Sequence, residues 1–292
     1  MSRKNWGLFL LTGFLWGIPY LLMKVAVKDL SPVVIVFSRV FIGSLVLIPI
    51  AIHHKTLRSA LKYWKYIVPY AIAEMIIPWI LITNAEKHIT SGLAGLLIAT
   101  VPIWSTIQAS YHGDRSVWHH KRLFGLALGF IGIVLVVGIE SISGKQNPIA
   151  IGAMIVAAIG YSWATIMIMR NIPQVDGIAI NGIAMAITAI FYLPLALLNL
   201  PARMPQASVT WSVIILGLFP TALAFIFFFQ LMPEIGPARA SLVTYLNTAF
   251  AVVLGVVLLG EPLTLGIEIG LPLVLIGSYF ASRKNSSAEV KY

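Results

Sequence analysis

Ile149-Ala-Ile-Gly-Ala-Met-Ile-Val-Ala-Ala-Ile-Gly-Tyr-Ser-Trp163 runs without one charged side chain. It lacks the apolar–polar alternation of a barrel strand. In lipid its backbone groups would need internal partners, and a helix supplies them. Its last four residues, Gly160-Tyr-Ser-Trp163, also repeat Gly13-Phe-Leu-Trp16 at a shift of 147. The same shift lays Trp64 on Trp211 and Gly113-Asp114 on Gly260-Glu261. It slips to 145 where Pro49 meets Pro194, Gly125 meets Gly270 and Gly132 meets Gly277. Two Trp pairs in one register, in a chain with eight Trp, exceed chance expectation. Related halves in a membrane chain point to a solute path between them.

Composition agrees with a membrane solvent. The chain of 292 residues is 59% hydrophobic and only 10% charged, where a soluble domain carries about 25%. Its mean hydropathy is +0.92. Spans need about 20 apolar residues. The pattern predicts an all-α membrane protein with ten of them, at 6–26, 33–52, 66–86, 92–111, 122–140, 148–169, 178–198, 210–230, 238–259 and 264–282. Residues 1–144 then form the first repeat, 145–284 the second, and 285–292 a disordered cytoplasmic tail. Arg3 and Lys4 precede an apolar stretch too long for a signal peptide, with no small-residue cleavage site after it. The first span is expected to stay as an anchor.

Basic residues predict the orientation. With a cytoplasmic N-terminus, 14 Lys and Arg fall on inside segments and five on outside ones, leaving Arg39 within a span. The positive-inside rule favours that arrangement, with both termini cytoplasmic. Five spans per repeat is an odd number, so the second repeat enters from the opposite side. Inverted copies are a recurring basis for two states of similar energy, one open to each side.

The net charge of +10 is accounted for by these loop residues. No soluble basic domain exists to bind nucleic acid. The absence of Cys removes disulfides and thiolate metal sites. No nucleophile elbow, phosphate loop or spaced His pair is found, so no catalytic residue, metal or cofactor is expected. His53-His54 and His119-His120 read as solvated loop residues. The partners implied are the lipid bilayer and a small-molecule substrate. A monomer is compatible with the pattern, which leaves oligomeric state open.

Polar residues at membrane depth mark candidate function, because their burial is costly. Glu74 is the single acidic residue near the middle of a predicted span. A structural ion pair and a substrate or proton site are both open to it. Arg39, six residues inside the second span, reads first as a structural or gating charge. Trp6, Trp64, Trp118 and Trp211 sit at span ends, where aromatic belts form. Trp16, Trp79, Trp104 and Trp163 lie inside, where an indole N–H needs a partner. Packing and a cavity wall are both open for these four. Pro78 shares a face with Glu74 at a spacing of four. Ser241, Thr244, Tyr245, Asn247 and Thr248 make the ninth span the most polar helix interior. Trp16, Glu74, Pro78, Trp79, Trp104, Trp163, Ser241, Tyr245 and Asn247 are the expected lining of the path. Gly125-x-x-x-Gly129 and Gly266-x-x-x-Gly270 instead suggest that the fifth and tenth spans are packing elements.

Several of these motifs resemble the EamA-type drug/metabolite transporter superfamily over nearly the whole chain. They are Gly13-Phe-Leu-Trp-Gly17 with Lys24, Pro32 and Arg39; Gly92-Leu-Ala-Gly-Leu-Leu97 leading to Pro102 and Gly113-Asp114; and Tyr245-Leu-Asn247 through Leu259-Gly-Glu-Pro-Leu-Thr264. The ninth span departs from the family in carrying Asn247-Thr248. The resemblance implies ten helices in two inverted five-helix repeats. It also implies a cavity lined by the first four helices of each repeat. It implies a secondary transporter exporting amino acids, including aromatic ones as in the YddG-like type, or related metabolites. The alternative is a drug, cation or polyamine exporter with proton coupling through Glu74. A membrane-embedded sensor or enzyme lies outside both readings.

Overall fold

The computed structural model describes residues 2–111, 113, 120–142, 147–235 and 243–282. Among them the chain forms ten helical rods. These are α1 (Arg3–Ala26), α2 (Pro32–His53), α3 (Trp64–Ala85), α4 (Ser91–Tyr111), α5 (His120–Ile142), α6 (Pro148–Asn171), α7 (Gly177–Leu198), α8 (Ala207–Ile235), α9 (Val243–Leu259) and α10 (Leu265–Ser282). Seven of them, α1 to α4 and α6 to α8, are long and apolar enough to cross a membrane, and Val243–Leu259 and Leu265–Gly277 are shorter apolar helices. Among the described residues the one added element is a short helix, Leu57–Leu61, between α2 and α3. The protein is thus an all-helical, multi-pass membrane protein, as the apolar runs predict.

Local chemistry sets the rod ends. Ser2, Ser31, Thr90, Asn147 and Asp176 sit at N-caps, and each side chain accepts a backbone N–H from the first turn. Such a cap satisfies one of the donors a helix start leaves free. Pro32 and Pro148 begin their helices where a missing N–H costs nothing.

The rods trade partners across the repeats. α1 packs on α8 and α9 of the second repeat, and α6 packs on α3 and α4 of the first. α2 pairs with its repeat mate α7, and α5 with α10. This is the pattern a twofold axis between two copies produces. Small residues permit the approach. A Cβ on Gly17 would meet Phe250 Cβ at 2.6 Å and Asn247 O at 2.9 Å. One on Gly160 would meet Ala73 O at 2.7 Å. The α5–α10 crossing runs backbone to backbone at Gly129 and Gly277. This matches the packing role expected for those two rods.

Two rods depart from a uniform α-helix. In α3 the segment Ile72–Ile76 widens to a π-helix, and in α8 so does Gly217–Leu223. The cause lies in proline. Pro78 can give no N–H to the carbonyl of Glu74, four residues earlier, and its ring would clash with it. Pro220 does the same to Leu216. A wider turn relieves both clashes. α4 solves the equivalent problem differently, breaking at Ala99-Thr100 just before Pro102.

Candidate functional site

The widened turn of α3 holds Glu74 partly buried within the membrane interior. Its Oε2 is enclosed and has no hydrogen-bond partner. An unpaired carboxylate oxygen in such surroundings is costly. Tyr70, one turn earlier, donates instead to Asn181 Oδ1 of α7 at 3.0 Å. Tyr192 of α7 donates to the Ile76 carbonyl at 2.7 Å, closing the far end of the π-helix.

One turn further along α3, Trp79 is 5% exposed. Its ring lies under the Arg39 guanidinium, whose Cζ is 3.7 Å from the ring centroid. Such a cation–π contact reaches about 2 kcal/mol or more when desolvated. Arg39 Nε donates to Thr221 Oγ1 at 3.2 Å, and its Nη1 lies 3.8 Å from Met23 Sδ. Thr221 belongs to the π-helix of α8 and is the residue that the 147 shift lays on Glu74. Its own hydroxyl donates to Leu216 O at 2.7 Å, the carbonyl to which Pro220 can give no N–H. Tyr161 of α6 packs against the same apolar cluster as Trp79. Helices α1, α2, α3, α6 and α8 therefore converge on one polar strip inside an apolar core.

The structure brings Arg39 onto Trp79, with Glu74 and Pro78 just before it on the same rod. The other candidates stand elsewhere. Trp16 packs against Phe225 and Phe228 of α8, with ring centroids 5.6 and 4.9 Å away. Trp104 donates its N–H to Thr100 Oγ1 at 3.0 Å and meets Phe130 of α5 edge-on. Asn247 is buried where α1 meets α9, and its Oδ1 is 3.1 Å from the Thr248 hydroxyl. Tyr245 is partly buried, and Trp163 is 41% exposed. Ser241 lies outside the described residues. Reading the sequence missed Tyr161 and Thr221, since one Tyr or Thr in a span is unremarkable. The repeat register held the signal for Thr221, as Glu74 plus the shift.

A second polar cluster closes one end of the bundle. Lys24 donates to the carbonyls of Glu86 and Ile89 at 2.7 and 2.6 Å, capping the end of α3. Glu261, in the turn between α9 and α10, accepts from Ser91 N with both oxygens at 3.0 Å and from Gly92 N at 3.4 Å. A carboxylate at a helix N-terminus satisfies free donors and matches the helix dipole. The second repeat thus caps the start of α4 in the first. Gly260 makes the turn at φ +65°, and Gly255 leaves room for the carboxylate to fold back. Glu86 beside them is fully buried. Burial pushes its carboxyl well above the usual carboxylate range, with Lys24 opposing and Glu261 adding to the rise.

Comparison with known proteins fits this architecture. The EamA-like transporter family matches the chain twice, over residues 5–138 and 148–283. An uncharacterized transporter of Archaeoglobus fulgidus is 24% identical, covering 96% of this chain and 99% of its own length. A protein of Streptantibioticus cattleyicolor named "Probable terminal-alkyne amino-acid exporter" is 25% identical, covering 95% and 90%. The uncharacterized inner membrane transporter YedA of Escherichia coli is 23% identical, covering 94% and 92%. A solved crystal structure with 19% identity superposes at a TM-score of 0.68, covering 96% of this chain and 97% of its own. That last likeness concerns the fold alone. Matched over both of its halves, the chain belongs to the EamA-like transporter family.

Proposed function

We propose that this transporter exports amino acids, aromatic ones among them, or related small metabolites across the cytoplasmic membrane by alternating access. Both termini face the cytoplasm, as the basic loops predict. The observation that carries the reading is the enclosed, partnerless Oε2 of Glu74 at the widened turn of α3. A carboxylate so placed holds a solute ammonium or a coupling proton. The traded partners of the two repeats support the two-state mechanism, since tilting one copy against the other opens one face as it closes the opposite one. The relative named as an amino-acid exporter supports the substrate class, and the inner membrane name of the Escherichia coli relative supports the location. Pro78 and Trp79 flank the carboxylate. Trp16, Trp104, Trp163, Ser241, Tyr245 and Asn247 line the remaining path in this reading.

The test is flux in proteoliposomes. Labelled amino acids, a quaternary amine, spermidine and a nucleoside are compared with and without a pH gradient, for wild type and Glu74→Gln. Amino-acid flux that collapses in Glu74→Gln supports the proposal. Flux in that variant unchanged across pH removes the role of Glu74. Flux of the amines alone replaces amino acids with the cation-exporter reading, which the same bare carboxylate also serves.

A further inference from the structure

Resting on the transport reading, we infer that Arg39 is an anion subsite of the path. It receives the carboxylate of the solute while Glu74 receives the ammonium, so the substrate class is the zwitterionic amino acids.

Arg39 is 6% exposed, within an apolar helix. The contacts that the structure gives its guanidinium are all uncharged: the face of Trp79, the hydroxyl of Thr221 and the sulfur of Met23. A guanidinium carries five N–H donors, and a thioether is a weak acceptor. Burying the charge among neutral groups is expensive, and the cost is recovered when an oxyanion arrives. The geometry is prepared for one. Trp79 fixes the plane of the group and Thr221 fixes its rotation, which leaves the terminal nitrogens as a fork. Two parallel N–H donors match a carboxylate's two oxygens.

Charge balance decides the class further. A lone buried guanidinium repels ammonium-rich solutes in a low-dielectric setting. A polyamine therefore fits Glu74 but is opposed by Arg39. A simple carboxylic acid fits Arg39 but is opposed by Glu74. A zwitterion carries a partner for each charge.

The test is ligand binding to the purified full-length protein, read by thermal shift. Natural amino acids are compared with their amides, which keep the ammonium but lose the carboxylate. At least one acid is expected to bind at least about tenfold more tightly than its amide, the scale of a charge-assisted hydrogen bond. Arg39→Lys is expected to erase most of that preference, because an ammonium cannot fork. Thr221→Val is expected to weaken the acid and leave the amide unchanged. Amides that bind as well as acids overturn the Arg39 assignment while amino-acid export stands. Binding of spermidine with no acid bound overturns both. The wild-type comparison decides the matter even if Arg39→Lys does not fold.

Discussion

The π-helix of α8 closes on itself. Pro220 strips Leu216 of its helical partner, and the Thr221 hydroxyl restores one at 2.7 Å while also accepting from Arg39. The π-helix of α3, related to it by the repeat, is left open. Pro78 stands five residues further along in the repeat register and can give no N–H to the carbonyl of Glu74 itself, the residue in the Thr221 position, whose Oε2 has no partner. Related turns thus hold a bonded hydroxyl in one repeat and a partnerless carboxylate oxygen in the other. Symmetric architecture sets the position, and a single side chain breaks the symmetry. Widened turns of this kind frequently occur at functional sites.

The contrast can be broken by substitution. The largest expected effect is on flux. Glu74→Leu should lower amino-acid transport in proteoliposomes by about tenfold or more, the scale of one lost charge-assisted bond. Its melting temperature should stay level or rise, because an unpaired buried carboxylate has gone. Thr221→Val should show the reverse balance in stability. It removes the hydroxyl's bond to the Leu216 carbonyl and strands Arg39 Nε, costing about 1–3 kcal/mol in reversible unfolding. If Thr221→Val is neutral and Glu74→Leu is destabilising, the assignment of support and reactive group is inverted.

Smaller effects are expected at the capped end of the bundle. Glu261→Gln keeps the shape of the α4 cap but loses its charge, and should cost about 0.3–1 kcal/mol of stability, read by thermal melting. The pH dependence follows from Glu86. Its carboxyl is raised by burial, so the folded protein holds that proton more tightly than the unfolded chain. The resulting stability is full below the unfolded value of about 4.3 and is lost as pH rises through the folded value. Melting temperature should therefore fall as pH climbs from about 4.3 to the folded value, and Glu86→Gln should flatten the slope. An unchanged slope in Glu86→Gln would assign the dependence to other groups.

Most of the architecture was legible before any coordinates. Apolar runs located the spans, and Gly160-x-x-Trp163 on Gly13-x-x-Trp16 revealed the two copies. Hydropathy has a long period and tolerates local error, so helix number survives imprecise ends. The site was legible in part. Glu74 stood out because a carboxylate at membrane depth is rare. Arg39 read first as structural, since its near neighbours Trp79 and Thr221 come from rods distant in sequence. Partner identity across rods depends on crossing geometry, which one-dimensional periodicity does not encode. The interior Trp residues show the same limit. Trp79 and Trp163 both look buried in sequence, yet one is 5% and the other 41% exposed. The role of Glu261 was also hidden, because its acceptor face meets N–H groups of Ser91 and Gly92.

The traded partners of α1 bear on how the protein is made. Its main neighbours are α8 and α9, which leave the ribosome after most of the chain has been synthesised. During that interval α1 must sit in lipid with only its first-repeat contacts, such as Lys24 on the Glu86 and Ile89 carbonyls. Its sequence allows this. The buried Thr12 hydroxyl is held by Leu8 O of the same helix at 2.7 Å, so that polar group needs no distant partner. Gly13 and Gly17 meanwhile keep open the notches that Leu246 and Phe250 fill at the end of translation. Assembly is therefore completed from the C-terminal side, and a chain truncated before α8 would leave its first helix without its main second-repeat neighbours.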